Sequence, residues 1–256
     1  MNRQNWQRDE LILAFNLYCK IPFGRIHNRN PDIISLSESL GRSPSAVSWK
    51  LANFARLDPS LQERNIVGAT HGSKGEIEIW EEFNDDWEAL AFESERLLAQ
   101  TVGRKVEEVA EVPEEGLPRA GIERERVVRS RVNQQFFRTA VLAAYENKCC
   151  ITGLSIPELL TASHIIPWSV DHENRLNPRN GLCLNPMHDR AFDRGLLTIT
   201  TEYRVKLSEE IRVMNQEPAI KELLLRYDGV PISLPTRFVP ATSFLKYHNE
   251  RVYVCS

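Results

Sequence analysis

The chain has 256 residues, of which 42% are hydrophobic and 26% are charged, a balance typical of a globular protein. Its formal net charge of −3 argues against a protein that coats nucleic acid by bulk charge. No apolar run reaches the roughly 18–20 residues of a membrane-spanning helix, and the first residues lack the apolar core of a signal peptide. The odd count of five cysteines is typical of a reduced, cytoplasmic protein without a membrane partner.

Charge is distributed unevenly along the chain. Residues 1–74 contain ten Lys or Arg and six Asp or Glu, whereas residues 75–100 contain one and nine. Residues 119–138 contain six Arg and two Glu. The acidic segment therefore masks two basic segments, and contact with nucleic acid through local patches stays compatible with the net charge.

The N-terminal segment predicts several helices. An apolar pattern over residues 9–18 indicates the first, and a second covers residues 33–40. Gly41 is suited to end that helix in the left-handed conformation. Ser43 is a good N-cap for a third helix over residues 44–55, since a proline follows it.

Two helices joined at a glycine resemble the helix-turn-helix units of bacterial DNA-binding proteins. On this interpretation Arg42 lies near a DNA phosphate, and Trp49 and Lys50 lie on the exposed face of the second helix. Two such helices also often only pack together, so both interpretations stay open.

The middle of the chain predicts an acidic amphipathic helical region and a linker. Residues 75–100 combine regularly spaced apolar residues with a solvated acidic face. Residues 101–122 lack periodicity and contain proline and glycine. We therefore expect a helical domain over 1–100, a linker over 101–122 and a second domain over 123–256, which begins with a basic helix.

Potential catalytic residues cluster between positions 149 and 200. The pattern predicts two strands with a polar loop between them, followed by a helix at about 186–193. His164 belongs to the first strand, and His188, Asp189 and Asp193 fall on the helix. Asp189 and Asp193 share a helix face because they are four residues apart. A histidine on a strand that faces such a helix suggests a divalent-metal site.

Four pieces of this segment occur in a characteristic order. They are C-x-x-T-G at 149–153, H-I-x-P-W-S at 164–169, N-G-L-x-L at 180–184 and H-x-x-x-F-D-x-G-L at 188–196. The ordered set resembles the HNH endonucleases, which have the ββα-metal fold, over about residues 140–205. The resemblance implies an α+β protein, in which a helical N-terminal domain resembling a helix-turn-helix is joined by a linker to an HNH domain with a C-terminal extension.

The resemblance also implies roles for individual residues. His164 would be the general base that takes a proton from the attacking water. Asn180 would hold the loop and His164 in place. His188 and Asp193 would be the first ligands of one Mg²⁺ or Mn²⁺ ion, with Asp189 as a third. The remaining expected roles are phosphate contacts by Arg190 and Arg194 and packing beside the site by Trp168.

The segment departs from many HNH endonucleases at two places. Ser163 stands directly before the expected base, where many members have an Asp or His metal ligand. Many members also hold a structural zinc with two Cys-x-x-Cys pairs, whereas this chain has only Cys150 and Cys183 at comparable positions. We therefore expect no structural zinc.

The resemblance implies a metal-dependent endonuclease that cuts DNA, and its pairing with a helical N-terminal domain fits a role in restriction or phage defence. Double-strand cleavage by a chain with one site favours a homodimer. One alternative is a non-catalytic DNA-binding or regulatory protein that uses the helix-turn-helix and carries an inactive HNH module. Another is an N-terminal domain that binds a protein partner and delivers the nuclease to a complex.

Overall fold

The computed structural model describes residues 5–64 and 72–253, and the chain divides into two compact units, 1–140 and 141–256. Cys255 lies outside the described residues. The division falls inside a single long helix, and the predicted linker over 101–122 lies within the first unit. The domain boundaries inferred from composition stay a prediction.

The described residues of the first unit form helices and the segments that connect them. The helices are α1 (Arg8–Lys20), α2 (Pro31–Ser39), α3 (Pro44–Ala55), α4 (Pro59–Glu63), α5 (Lys74–Phe83), α6 (Trp87–Val102), α7 (Val106–Val109) and most of α8 (Ile122–Ala144). The first helix, α1, packs against α3, α5 and α6. The buried Phe15 ring of α1 lies 4.9 Å from that of Phe54 and 5.2 Å from that of Trp80, measured between centroids. This aromatic cluster forms the core of the unit.

The three predicted N-terminal helices are confirmed. Gly41 lies between α2 and α3 with φ +62°, a left-handed conformation that glycine adopts without strain. The Ser43 hydroxyl accepts a hydrogen bond from the Ala46 backbone N–H and caps α3. The acidic region over 75–100 contains two helices, α5 and α6, because Asp86 caps a new helix through the Ala89 N–H.

The second unit combines helices with two short antiparallel strand pairs. Its elements are the end of α8, then β1 (Thr161–His164), β2 (Gly181–Leu184), α9 (Pro186–Asp193), β3 (Leu197–Ile199), β4 (Val205–Leu207), α10 (Glu209–Val213), α11 (Pro218–Leu223) and α12 (Thr242–Arg251). The first pair joins β1 to β2, and the second joins β3 to β4. Because α9 packs against both strands of the first pair, the predicted strand–strand–helix arrangement and the mixed α and β class are confirmed.

The C-terminal helix α12 packs against β3, which also contacts α9. Sequence analysis left β4 and α10 unassigned. Their three and five residues are too short for a periodic pattern to identify.

Candidate active site

The candidate site lies where β1, β2 and α9 meet. His164 is the last residue of β1 and pairs with Gly181, the first residue of β2. The Asn185 side chain caps α9 by accepting hydrogen bonds from the backbone N–H groups of Met187 at 3.1 Å and His188 at 3.0 Å. Local capping therefore starts α9 directly after the strand pair that carries His164.

The hydrogen bond of His164 defines which ring nitrogen can act as a base. Its Nε2 lies 2.8 Å from the backbone oxygen of Arg175. A carbonyl oxygen only accepts, so Nε2 carries the proton and Nδ1 carries the lone pair of the neutral ring. Burial lowers the pKa of His164, although the Arg175 carbonyl and the charge of Asp189 act in the opposite direction. The ring is therefore neutral at pH 7, as a general base requires.

Trp168 and Arg175 complete the surroundings of His164. The Trp168 ring meets the His164 ring edge to face, with centroids 5.5 Å apart at an interplanar angle of 87°. The Arg175 guanidinium lies 5.1 Å from the Trp168 ring centroid. The expected packing role of Trp168 is confirmed. Arg175 could not be predicted from the sequence, because its contact with His164 uses a backbone atom, for which side-chain identity gives no signal.

Asn180 holds the loop that follows β1. Its side-chain oxygen accepts a hydrogen bond from the Ile166 N–H at 2.8 Å, and its amide nitrogen donates to the Ile166 and Asn174 carbonyls, both at 3.2 Å. The residue is fully buried. These bonds join both ends of the polar loop that includes Arg175, so Asn180 acts on His164 through the backbone of the loop.

Asp189 faces His164 from α9. Burial raises the pKa of Asp189, while Ser163, Arg190 and His164 oppose that shift. The Ser163 hydroxyl approaches the carboxylate without reaching the geometry of a full hydrogen bond. The position that holds a metal ligand in many HNH endonucleases therefore supplies a hydroxyl beside Asp189.

Asp193 lies one helical turn beyond Asp189 and is exposed. Partial burial of its carboxylate raises its pKa, and the negative charge of Asp189 raises it further. Arg190 and Arg194 partly offset both effects. Both arginines are exposed, beside the two carboxylates. The structure thus brings His164, Asp189 and Asp193 to one region with two cationic side chains.

His188 occupies a different environment. It is 2% exposed, and its Nδ1 lies 2.8 Å from the Asn185 amide nitrogen, which donates the hydrogen bond. Its ring meets the Tyr227 ring edge to face at 5.4 Å. The ring also lies beside the Cys149 thiol: burial raises the pKa of Cys149, but His188 and Thr152 lower it to about 7.

The structure does not gather the expected ligand set of His188, Asp193 and Asp189. Among residues 5–64 and 72–253, no group of three or more His, Cys, Asp or Glu side chains is arranged to hold a metal ion. The expected role of His188 as a metal ligand stays a prediction. Successive residues of a helix differ by about 100° in direction, so His188 faces the interior while Asp189 faces His164.

The donor chemistry nevertheless fits a divalent ion that keeps most of its water. Mg²⁺ in proteins is bound by one or two carboxylates and retains several water molecules. Asp189 and Asp193 provide two such carboxylates, one helical turn apart, and their pKa values are raised. A bound cation would relieve the repulsion that Asp189 exerts on Asp193.

Arg42, which was expected near a DNA phosphate, is only partly exposed and contacts other side chains of the protein. It forms a two-pronged ion pair with Glu10, with Nε–Oε1 at 2.6 Å and Nη2–Oε2 at 2.7 Å. Its guanidinium also lies 4.3 Å from the Trp6 ring centroid. Trp49, by contrast, is 65% exposed on α3, as expected.

Lys50 is buried, so its expected exposure on the second helix was wrong. It is 7% exposed and forms an ion pair with Glu76. Asn53 donates a second hydrogen bond to the same Glu76 oxygen at 2.9 Å. The sequence could not show this because Glu76 lies 26 residues away.

Comparison with known proteins gives one result for the segment that contains this site. Residues 149–200 match the family model described as HNH endonuclease. The matched segment includes His164, Asn180, Asp189 and Asp193, and it supports nuclease activity in general terms. No curated protein matches the chain. Within the described residues, no helix combines the length and apolar character needed to cross a membrane.

Proposed function

We propose that the chain is a divalent-metal-dependent HNH endonuclease that hydrolyses phosphodiester bonds in DNA. The observation that carries the proposal is the His164 ring, whose Nε2–H is held by the Arg175 carbonyl while Asp189 lies nearby on α9. A neutral imidazole with a fixed tautomer, beside two carboxylates, is suited to activate water next to a metal-bound phosphate.

In this mechanism Nδ1 of His164 takes a proton from a water molecule. The water oxygen forms a bond to phosphorus, and the bond from phosphorus to the 3′ oxygen breaks. The Arg175 carbonyl stabilises the resulting imidazolium, because it remains hydrogen-bonded to Nε2. Asn180 keeps this carbonyl in position by holding the backbone of the loop.

Asp189 and Asp193 would hold the ion. When bound, Mg²⁺ or Mn²⁺ would stabilise the charge that develops on the phosphate and on the leaving 3′ oxygen. Asp193 is exposed and Asp189 is partly exposed, which leaves room for water in the remaining coordination positions.

Arg190 and Arg194 are proposed to contact phosphates on either side of the cleaved bond, since both are exposed next to the two carboxylates. We also propose that α2 and α3 act as a helix-turn-helix, with the exposed Trp49 as the contact residue. Arg42 and Lys50 support this surface from within, since both form ion pairs with glutamates.

A role in restriction or phage defence rests on resemblance alone. A homodimer would place two sites on the two strands of a duplex. The N-terminal unit is the natural place for a protein partner if it does not bind DNA.

Plasmid cleavage tests the proposal. Purified protein should nick or linearise plasmid DNA with Mg²⁺ or Mn²⁺ and should not do so with EDTA. His164→Ala should abolish cleavage, whereas His172→Ala should retain it, because His172 is an exposed histidine of the same loop. Equal activity of both variants, or cleavage in EDTA, would contradict the proposed mechanism.

The second candidate is a non-catalytic DNA-binding protein, and the hydroxyl of Ser163 in place of a metal ligand favours it. It predicts no cleavage with any divalent ion together with salt-sensitive DNA binding. Trp49→Ala should weaken that binding under this second candidate, whereas His164→Ala should leave it unchanged.

A further inference from the structure

A chain of hydrogen bonds connects α12 to α9 inside the second unit. The His248 Nε2 lies 3.2 Å from the Phe192 backbone oxygen, and its Nδ1 lies 2.7 Å from the Thr198 hydroxyl. Asn249 reaches the same hydroxyl with its amide nitrogen at 2.8 Å. His248 therefore joins the last turn of α9 to β3.

The direction of each hydrogen bond is determined by chemistry. The Phe192 carbonyl can only accept, so the Nε2 of His248 carries the proton and Nδ1 accepts from the Thr198 hydroxyl. The hydroxyl oxygen in turn accepts from Asn249. The Thr198 hydroxyl thus both donates and accepts, and the Asn249 amide also donates to the Ile199 carbonyl at 2.8 Å, so the connected groups hold one another in place.

Burial and ring stacking reinforce this arrangement. His248 is 1% exposed, and its ring lies 3.6 Å from the Phe192 ring between centroids, at an angle of 11°. Burial lowers the pKa of His248 to about 4, although the Phe192 carbonyl acts in the opposite direction. The ring consequently stays neutral throughout the range in which the protein would work.

We infer that His248 is a positioning residue for the candidate active site, acting through α9. Asp193 directly follows Phe192, and Asp189 lies one turn earlier on the same helix. The inference rests on the proposed function, because it concerns how α9 presents the two carboxylates to the proposed ion.

The length of α9 supports this role. The helix has only eight residues, and isolated helices shorter than about 12–15 residues are marginal in water. Contacts with other elements must therefore define its direction, and these include its packing on β1, β2 and β3 and a contact at each end. Asn185 caps the first turn, and His248 holds the last turn from a separate element. If the contact with His248 were lost, a tilt of the C-terminal end of α9 would displace Asp193 more than Asn185.

Two substitutions separate the two hydrogen bonds of His248. His248→Gln can place an amide N–H near the position of Nε2 and keep the bond to Phe192. His248→Asn can place an oxygen near the position of Nδ1 and keep the bond to Thr198. Both variants lose the ring stacked on Phe192, so they differ only in which of the two hydrogen bonds they keep.

Single-turnover cleavage of plasmid DNA and binding of Mn²⁺, followed by electron paramagnetic resonance, provide two measurements. We expect His248→Asn to lower the cleavage rate by about 10- to 100-fold, with little change in the DNA concentration for half-maximal rate. Mn²⁺ affinity should fall in parallel. His248→Gln should recover most of both.

Tyr253→Phe is the matched control, since Tyr253 follows α12 and its hydroxyl donates to the Leu207 carbonyl of β4 at 2.9 Å. It should lower the melting temperature while the cleavage rate stays within about twofold of wild type. If the wild type neither cleaves DNA nor binds Mn²⁺, the proposed function fails and takes this role with it. If the wild type cleaves DNA but His248→Asn keeps the wild-type cleavage rate, only the positioning role is refuted. The same holds if His248→Asn and Tyr253→Phe have equal melting temperatures and equal cleavage rates.

Discussion

The two units use charged side chains in opposite ways. In the first unit Lys50 pairs with the buried Glu76, and Arg42 pairs with Glu10. Burial opposes ionisation of Glu10, but hydrogen bonds from Arg42 and the Gln7 backbone lower its pKa. In the second unit the pKa values of the two α9 aspartates are raised, first by burial.

This difference separates carboxylates that the protein itself compensates from carboxylates that it leaves less well compensated. A carboxylate with a lowered pKa is stabilised by partners that the protein already supplies. A carboxylate with a raised pKa is less well compensated and gains from a cation. The comparison therefore points to α9 and away from the buried ion pairs of the first unit as the place for chemistry.

The largest expected effect on cleavage comes from a pair of variants, each of which replaces one carboxylate by its amide, with one variant in each unit. Asp189→Asn should lower metal-dependent cleavage by about 100-fold or more, because it removes the carboxylate that we propose as an ion ligand beside His164. Its melting temperature should stay the same or rise. Glu10→Gln should show the reverse, with a lower melting temperature and wild-type cleavage. Loss of cleavage in Glu10→Gln at full stability would break the comparison.

Lys50→Ala should lower the free energy of unfolding by about 3–5 kcal/mol, because the charge of Glu76 would remain buried without its partner. Urea denaturation measures this effect. Lys74→Ala is the control, since Lys74 is exposed in the same unit. If Lys50→Ala has unchanged stability and weaker DNA binding, the structural role of Lys50 is contradicted and the DNA contact expected from the sequence is supported.

Arg190→Ala and Arg194→Ala should each weaken DNA binding across sequences and reduce the salt dependence of affinity by about one ion. Fluorescence anisotropy at several salt concentrations gives the slope. Arg226→Ala should leave the slope unchanged, because this exposed arginine forms an ion pair with Glu222 on α11. Equal slopes for all three variants would contradict the proposal that the two arginines beside the α9 carboxylates contact phosphates.

The smallest effect concerns stability against pH. The pKa of Glu10 is lowered from 4.5, so its stabilising contribution is present above pH 4.5 and is lost as the pH falls through the folded-state pKa. The difference in melting temperature between wild type and Glu10→Gln should therefore shrink in acid. A difference that is constant from neutral pH down to full protonation would contradict the ion pair.

Local signals in the sequence predicted much of the fold around the site. The sequence pattern predicted a helix at about 186–193, which is α9, and a strand that includes His164, which is β1. Residue contacts across long separations could not be predicted. Whether His188 or Asp189 faces His164 depends on Cys149 and Tyr227, which reach His188 from other parts of the chain.

The same reason explains the first unit. The apolar spacing of α3 predicted its bounds, but the burial of Lys50 depends on Glu76 in α5. The contact between His248 and α9 likewise joins residues 56 positions apart. Helix and strand signals are local, whereas the environment of a charged side chain is set by packing between elements.

The pH dependence of single-turnover cleavage tests the central claim most directly, namely that neutral His164 is the base. The rate should rise with pH, level off below the usual histidine pKa of 6.5 because burial lowers the pKa of His164, and stay constant through pH 8. His164→Ala should lose the rate throughout this range. A wild-type rate that keeps rising above pH 7, or the same profile in His164→Ala, would contradict the account.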